Sequence, residues 1–220
     1  MLNNEAIWIG KHIPSLTLKS ESIVLNFGSQ NEKYNLENKY LLDYVINPIK
    51  KICHLRNLDL QTGANIHYSG NLYEDSFFNE LKKVQFDCVL LCNVLEHVTD
   101  INELSNRIAQ LIKPEGYIIF SGPYKYPLHF DPIDNGFRPE IDEINKLFPD
   151  FEYIKGEIVK DHTYSYYLFS NIKVLAFTFF RVITPFYKYK KWKQVVIPKL
   201  KWWNKNFKAT CVIIKKTKKQ

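Results

Sequence analysis

The chain has 220 residues, 45% of them apolar, enough for one α/β domain or one compact domain with an appendage, and global disorder is excluded. Ten Pro and eight Gly rule out a collagen-like or linker-type chain, and four Cys with no C-x-x-C pair rule out a zinc knuckle or a disulfide framework. The net charge of +7 is divided: residues 164–220 hold 14 Lys and Arg without one Asp or Glu, while residues 1–163 hold 16 basic and 23 acidic side chains. An acidic body therefore carries a basic tail, and such asymmetry points to a polyanionic partner.

Residues 1–10 contain Glu5 and no Lys or Arg, which argues against a secretory leader and for a cytoplasmic protein. Residues 22–27 (SIVLNF) read as a buried strand ending at Gly28. Residues 36–53 read as a helix with Tyr40, Leu41, Tyr44, Val45 and Ile49 on one side, kinked or shortened by Pro48. Strands are expected at 54–60, closing on Asp59, and at 65–69, with a short helix at 75–83. The run 86–92 (FDCVLLC) is almost continuously apolar, as a central parallel strand covered on both faces requires.

Asp100 and Glu103 form a capping-box pattern before a helix with Ile101, Leu104, Ile108 and Leu111 on one face, stopped at Lys113-Pro114. A strand at 117–121, a Pro-, His- and Asp-rich loop at 123–137, a helix at 139–148 and closing strands at 152–159 and 209–215 complete the body. Alternating strands and helices predict βαβ units. The expected organisation is a body over 1–163, an aromatic and basic insert over 164–206, and a final strand with a basic tail over 207–220. Ligands of such an open sheet bind beyond the carboxyl ends of its strands, where Gly28-Ser29, Asp59, Gly70-Asn71 and Asn93 stand.

The run FDCVLLCNVLEHVTD, followed by IKPEGYIIFSGP and HFDPIDNGFRPE, resembles the class I S-adenosylmethionine-dependent methyltransferases, in particular small bacterial members associated with cell-surface polysaccharide and glycolipid synthesis. The resemblance covers roughly residues 20–160, with 209–215 as the final strand, and implies a Rossmann-like, doubly wound sheet of seven strands with the insert before the last strand. The first loop departs from the family's acidic residue and Gly-x-Gly-x-Gly: Asn26, Gly28, Gln30 and Glu32 occupy those four positions. On the resemblance, Gly28 lies beneath the methionine part of S-adenosylmethionine, Asp59 binds the ribose hydroxyls, and Gly70-Asn71 meets the adenine amino group. Asn93 stands where the methyl faces the acceptor, and Glu96-His97 forms the family's Leu-Glu-His turn.

The implied reaction is in-line attack by an acceptor oxygen or nitrogen on the sulfonium methyl, in which positioning supplies much of the catalysis. A general base is needed only for a hydroxyl nucleophile, and His97, His129 or Asp134 can serve. His129 and Arg138 are the candidate acceptor-binding residues. His12, His54, His67 and His162 read as structural or surface histidines, and the six His give no metal-ligand spacing.

Between 163 and 187 only Lys173 and Arg181 are charged; Lys then interleaves with Trp192, Trp202 and Trp203 up to residue 208. The apolar piece is too short to span a bilayer. It fits three roles: a cap or dimer element, a segment in an anionic membrane interface, or, less well, a nucleic-acid groove. The functional expectation is methylation of a sugar or lipid-linked saccharide at the inner membrane face. The alternatives are a catalytically inactive scaffold or binding subunit and an RNA methyltransferase.

Overall fold

The computed structural model describes residues 1–29, 38–128, 133–170, 172–184, 186 and 189–218. Seven strands form one sheet: β1 (Ile23–Phe27), β2 (His54–Asp59), β3 (Tyr68–Ser69), β4 (Phe86–Cys92), β5 (Ile112–Lys125), β6 (Phe151–Thr163) and β7 (Asn206–Lys216). Their order is β3-β2-β1-β4-β5-β7-β6. The strands from β3 to β5 pair in parallel, and β7 runs antiparallel between β5 and β6. This is the Rossmann-like, doubly wound sheet that the sequence predicts.

Alternation along each central strand builds two cores. Leu25, Val89, Leu91, Ile118, Phe120, Val212 and Ile214 face one side, under α3 (Asp75–Lys82), α4 (Ile101–Leu111) and α5 (Ile141–Leu147). Val24, Cys88, Leu90, Ile119, Cys211 and Ile213 face the other. There they meet α1 (Asn3–His12) and α2, wound in three consecutive pieces, Lys39–Leu41, Leu42–Ile46 and Asn47–Ile52. Burial of both faces explains why β4 reads as an unbroken apolar run. Three cysteines are fully buried and Cys92 partly, and desolvation pushes the Cys92 thiol up to about 12.

Several local expectations are corrected. Helix α2 continues through Pro48 to Ile52, and the irregularity expected there takes the form of a π-helical turn, Leu42–Ile46, just before it. Only half of the capping box forms. Asp100 Oδ1 accepts from the Glu103 N–H at 2.9 Å, but the Glu103 carboxylate goes to Arg107 at 2.8 Å, and the Asp100 N–H is taken by the Tyr73 hydroxyl at 3.2 Å. β3 shrinks to two residues, while β5, β6 and β7 outrun their apolar stretches because each antiparallel partner supplies a continuous hydrogen-bond ladder. Between β6 and β7 lie α6 (Tyr164–Phe169), α7 (Ile172–Ile183) and α8 (Tyr189–Lys201).

Helix α1 crosses α2 with Gly10 directly over the Tyr44 carbonyl, and a Cβ on Gly10 would overlap that oxygen. Ala is the better helix former by about 1 kcal/mol, whereas overpacking costs about 1–3 kcal/mol. Gly10→Ala is therefore expected to lower stability by about 1–2 kcal/mol in urea denaturation; a gain would show that the two helices separate freely.

Candidate functional site

The strand order reverses between β1 and β4, the switch point where doubly wound sheets bind ligands. A cavity of about 420 Å³ opens there, at the carboxyl ends of β1, β4 and β5. Its polar lining comes from Glu5, Asn26, Ser29, Asn93 and His97, with Gly28 and Tyr126 beside them. Gly28 has φ +69°, and a Cβ there would press on Val94 Cγ2 at 2.9 Å, so the tight turn after β1 depends on glycine. Asn93, just after β4, is also left-handed at φ +53°, a conformation that Asn tolerates better than most residues. That turn aims its side chain at the cavity, where Nδ2 donates to Glu5 Oε1 at 2.6 Å.

Glu5 is 1% exposed and was not among the residues singled out from the sequence. Ser121 Oγ, at the end of β5, donates to the same Oε1 at 2.6 Å, and the Leu2 N–H donates to Oε2 at 2.7 Å. Three donors thus fill both oxygens of this buried carboxyl group. The signal was present: Glu5 shares the apolar face of α1 with Trp8 and Ile9, and a buried Glu must be paired. Ser121 and Tyr126 were missed because nothing local marks a strand residue as lining a cavity.

Of the sequence-selected residues, Gly28, Asn93 and His97 come together on the lining. Asp59, Gly70 and Asn71 stand together at the ends of β2 and β3, outside that lining. Asp59 Oδ1 accepts from the Gln61 N–H at 3.1 Å, and the Gly70 N–H donates to the Asp59 carbonyl at 3.2 Å. Asn71 Oδ1 accepts from the Tyr73 N–H at 3.1 Å, and Asn26, in the family's acidic position, donates through Nδ2 to Asn57 Oδ1 at 3.1 Å. Asp134 and Arg138 pair with each other at 2.7 Å, and Asp134 also accepts from the Gly136 N–H, so this pair shapes its loop. His129, Gln30 and Glu32 lie outside the described residues.

His97 Nδ1–H donates to the Ile133 carbonyl at 2.5 Å, which fixes the tautomer and leaves Nε2 as the basic nitrogen, 3.9 Å from Glu96 Oε1. Glu96 is 1% exposed, and neither carboxyl oxygen has a hydrogen-bond partner among the described residues. Desolvation, aided by the Glu5 charge, pushes its carboxyl up to about 7.

The residues fit S-adenosylmethionine. Ser29 Oγ is buried without a hydrogen-bond partner among the described residues, a polar atom left for a ligand on the wall it shares with Gly28. Asp59 can accept from a ribose diol, and Glu5 supplies negative charge for a sulfonium.

Raised in the folded state, Glu96 favours folding fully below about pH 4.5, and that contribution is lost as pH rises through about 7. Glu96→Gln should therefore gain stability relative to the parent as pH rises across that window, by up to about 3 kcal/mol at 1.36 kcal/mol per pH unit. Chemical denaturation at several pH values reads this, and parallel pH profiles would reject it.

Residues 58–120 match the family model described as a methyltransferase domain. A search of curated proteins finds no match. Solved structures share the fold at low identity. A protein of Galdieria sulphuraria assigned as a sarcosine dimethylglycine methyltransferase is 12% identical, with TM-score 0.62 over 98% of this chain and 85% of that one. Coclaurine N-methyltransferase, solved with N-methylheliamine and S-adenosylhomocysteine, is 12% identical, with TM-score 0.56 over 96% of this chain and 70% of the other. The 4+2 cyclase SpnF is 13% identical, with TM-score 0.54 over 98% and 80%. The fold thus carries more than one chemistry, and what this chain shares with a methyltransferase domain beyond the fold is residues 58–120, which hold β3, β4, the end of β2 and the first part of β5.

Proposed function

We propose that this enzyme methylates a small acceptor carried at a membrane surface, with a sugar or lipid-linked saccharide as the acceptor class. The observation that carries the reading is the switch-point cavity, where Gly28, Ser29, Asn93 and Glu5 converge. In this reading Gly28, Asp59, Gly70, Asn71 and Asn93 hold S-adenosylmethionine, which when bound supplies a methyl already activated by its sulfonium. The protein's part is to hold the acceptor nucleophile in line and keep bulk water away. His97, with Nε2 as its basic nitrogen at the cavity wall, takes the proton of a hydroxyl nucleophile. Asn26, Ser29, Asn93 and Glu5 offer the mixture of donors and acceptors that hydroxyl-rich ligands need.

The membrane part rests on α6–α8, the insert proposed as a unit of its own. Phe169, Phe177, Phe179 and Phe180 are each more than half exposed, and Phe186 is 81% exposed. Lys173 and Arg181 belong to the same helix α7, α8 holds five more Lys in its sequence, and residues 164–206 contain no acid. Exposed aromatic bodies beside cations suit a headgroup region, where each basic residue contributes about 1 kcal/mol of attraction to anionic lipid. Among the described residues no helix is long and apolar enough to cross a membrane, so the contact is interfacial. The insert is rooted beside the cavity: Tyr126, on the lining, lies tilted against Phe207 with centroids 4.8 Å apart, and Trp202, just beyond α8, stacks on the same ring at 5.7 Å.

Two measurements test this. Calorimetry should find saturable binding of S-adenosylhomocysteine, weakened by about 1.5–3 kcal/mol in Asp59→Ala with the fold intact, the range for a hydrogen bond to a charged group; unchanged affinity rejects the ribose role. The protein should float with anionic liposomes and stay partly bound at 1 M salt, because apolar insertion is not screened. Replacing Phe177, Phe179 and Phe180 by Ser should abolish the salt-resistant fraction. Flotation lost at moderate salt, beside tight RNA binding, would assign the segment to nucleic acid.

A further inference from the structure

A buried carboxyl whose oxygens lack donors calls for an explanation, because each unpaired polar atom away from water costs free energy. Glu96 is 1% exposed, and neither oxygen meets a donor among the described residues. Its backbone, by contrast, is strapped down. The Asn135 N–H donates to the Glu96 carbonyl at 2.9 Å, and Asn135 Nδ2 donates to the carbonyls of Leu95 and Val98 at 2.7 and 2.9 Å. Glu96 Oε1 lies 3.9 Å from His97 Nε2, and the Ile133 carbonyl fixes the imidazole from its other nitrogen. Shortening that separation by about 1 Å makes a charge-assisted hydrogen bond once Nε2 carries a proton. His97 lines the cavity and Glu96 does not. Besides His97, the charges acting on Glu96 are the Glu5 carboxyl of α1 and the Met1 ammonium, of opposite sign. Cys92 of β4 stands near, its thiol pushed up by burial. Burial also pushes the Glu96 carboxyl up to about 7, where it gains and loses a proton near neutrality. Glu5 is committed to its own three donors, which leaves Glu96 as the carboxyl that can answer His97.

We infer that Glu96 is a positioning residue of the proposed base, acting through His97 so that the two side chains take up and hold one proton as a unit. The inference rests on the methyl-transfer reading with a hydroxyl acceptor. In that step the O–H bond of the acceptor breaks and its proton goes to His97 Nε2. The new bond from oxygen to methyl forms, and the bond from sulfur to methyl leaves its electron pair on sulfur. The proton then passes from Nε2 to the Glu96 carboxylate, which restores the neutral imidazole and leaves no net charge on the pair. His97, 24% exposed along its side chain, is the path by which the proton returns to water. A donor fixed on Glu96 would favour its ionised form and weaken its hold on that proton, which is the physical reason for burying it without one.

The test is a pH titration of the full chain without ligand, followed by NMR of the His97 ring nitrogens and the Glu96 carboxyl carbon. Groups coupled by more than about one pH unit lose their protons in two steps that belong to the pair. Both side chains should therefore report the same two midpoints. In Glu96→Gln the His97 ring should titrate in a single step, with its midpoint lower by about one pH unit or more, because no carboxylate then favours the imidazolium. The Nδ1–H tautomer should be unchanged, which separates loss of the proton partner from a loosened turn. The parent measurement needs no variant: independent one-step curves for the two side chains overturn the inference. An unmoved His97 midpoint in folded Glu96→Gln overturns it as well, and a switched tautomer there reduces Glu96 to a support of the ring. Calorimetry with S-adenosylhomocysteine keeps the two readings apart. Independent titration beside saturable binding overturns this inference alone, whereas absence of binding removes the methyl-transfer reading and the role in transfer with it.

Discussion

A buried carboxylate must find its donors inside the protein, and the seat of α1 follows from that demand. Desolvating Glu5 costs several kcal/mol, recovered only when donors fill its lone pairs. Those donors come from three places far apart in the chain: the residue after β4, the end of β5 and the backbone before α1 itself. Two further carboxylates fix the helix from outside. Asp161 Oδ2 accepts from the Asn4 N–H at 2.7 Å, and Glu157 Oε2 accepts from Trp8 Nε1 at 2.9 Å. With β6 holding the helix at those two points and Gly10 letting it approach α2, Glu5 is placed at the cavity within narrow limits.

The two buried Glu of this region differ only in their surroundings. Glu5 has three donors; Glu96, one turn after β4, has none and is shifted towards neutrality. Of two neighbouring carboxyls, the one without donors is the one that burial pushes up. Beside them His97 keeps a defined tautomer because its Nδ1–H is committed to the Ile133 carbonyl. Two carboxyls in opposite hydrogen-bonding environments and one imidazole thus stand close to the switch point.

The insert follows a different logic. Its base is held by ordinary packing: Leu168 is buried, Tyr167 donates through its hydroxyl to Asp161 at 2.7 Å, Trp202 stacks on Phe207, and Tyr126 lies tilted against the same ring. Beyond that base Phe177, Phe179 and Phe180 of α7 are each more than half exposed. Asp161 serves both parts, holding the start of α1 and the root of α6 through its two oxygens.

The sequence by itself marked the strands, because an apolar run is local: the runs in β1, β4, β5 and β7 require cover on both faces, and the resemblance supplied the doubly wound sheet of seven strands. It also marked Gly28, Asn93 and His97, which stand at strand ends and in a recognisable turn. Only the tertiary structure decided the rest, since long-range pairing leaves no local trace. It brought Glu5 across 88 residues of chain to Asn93 and across 116 to Ser121. It committed Asp134 to Arg138. It wound the turn before Pro48, Leu42–Ile46, as a π-helix and set Gly10 of a neighbouring helix over the Tyr44 carbonyl, a contact absent from any local reading because the two residues are far apart in the chain.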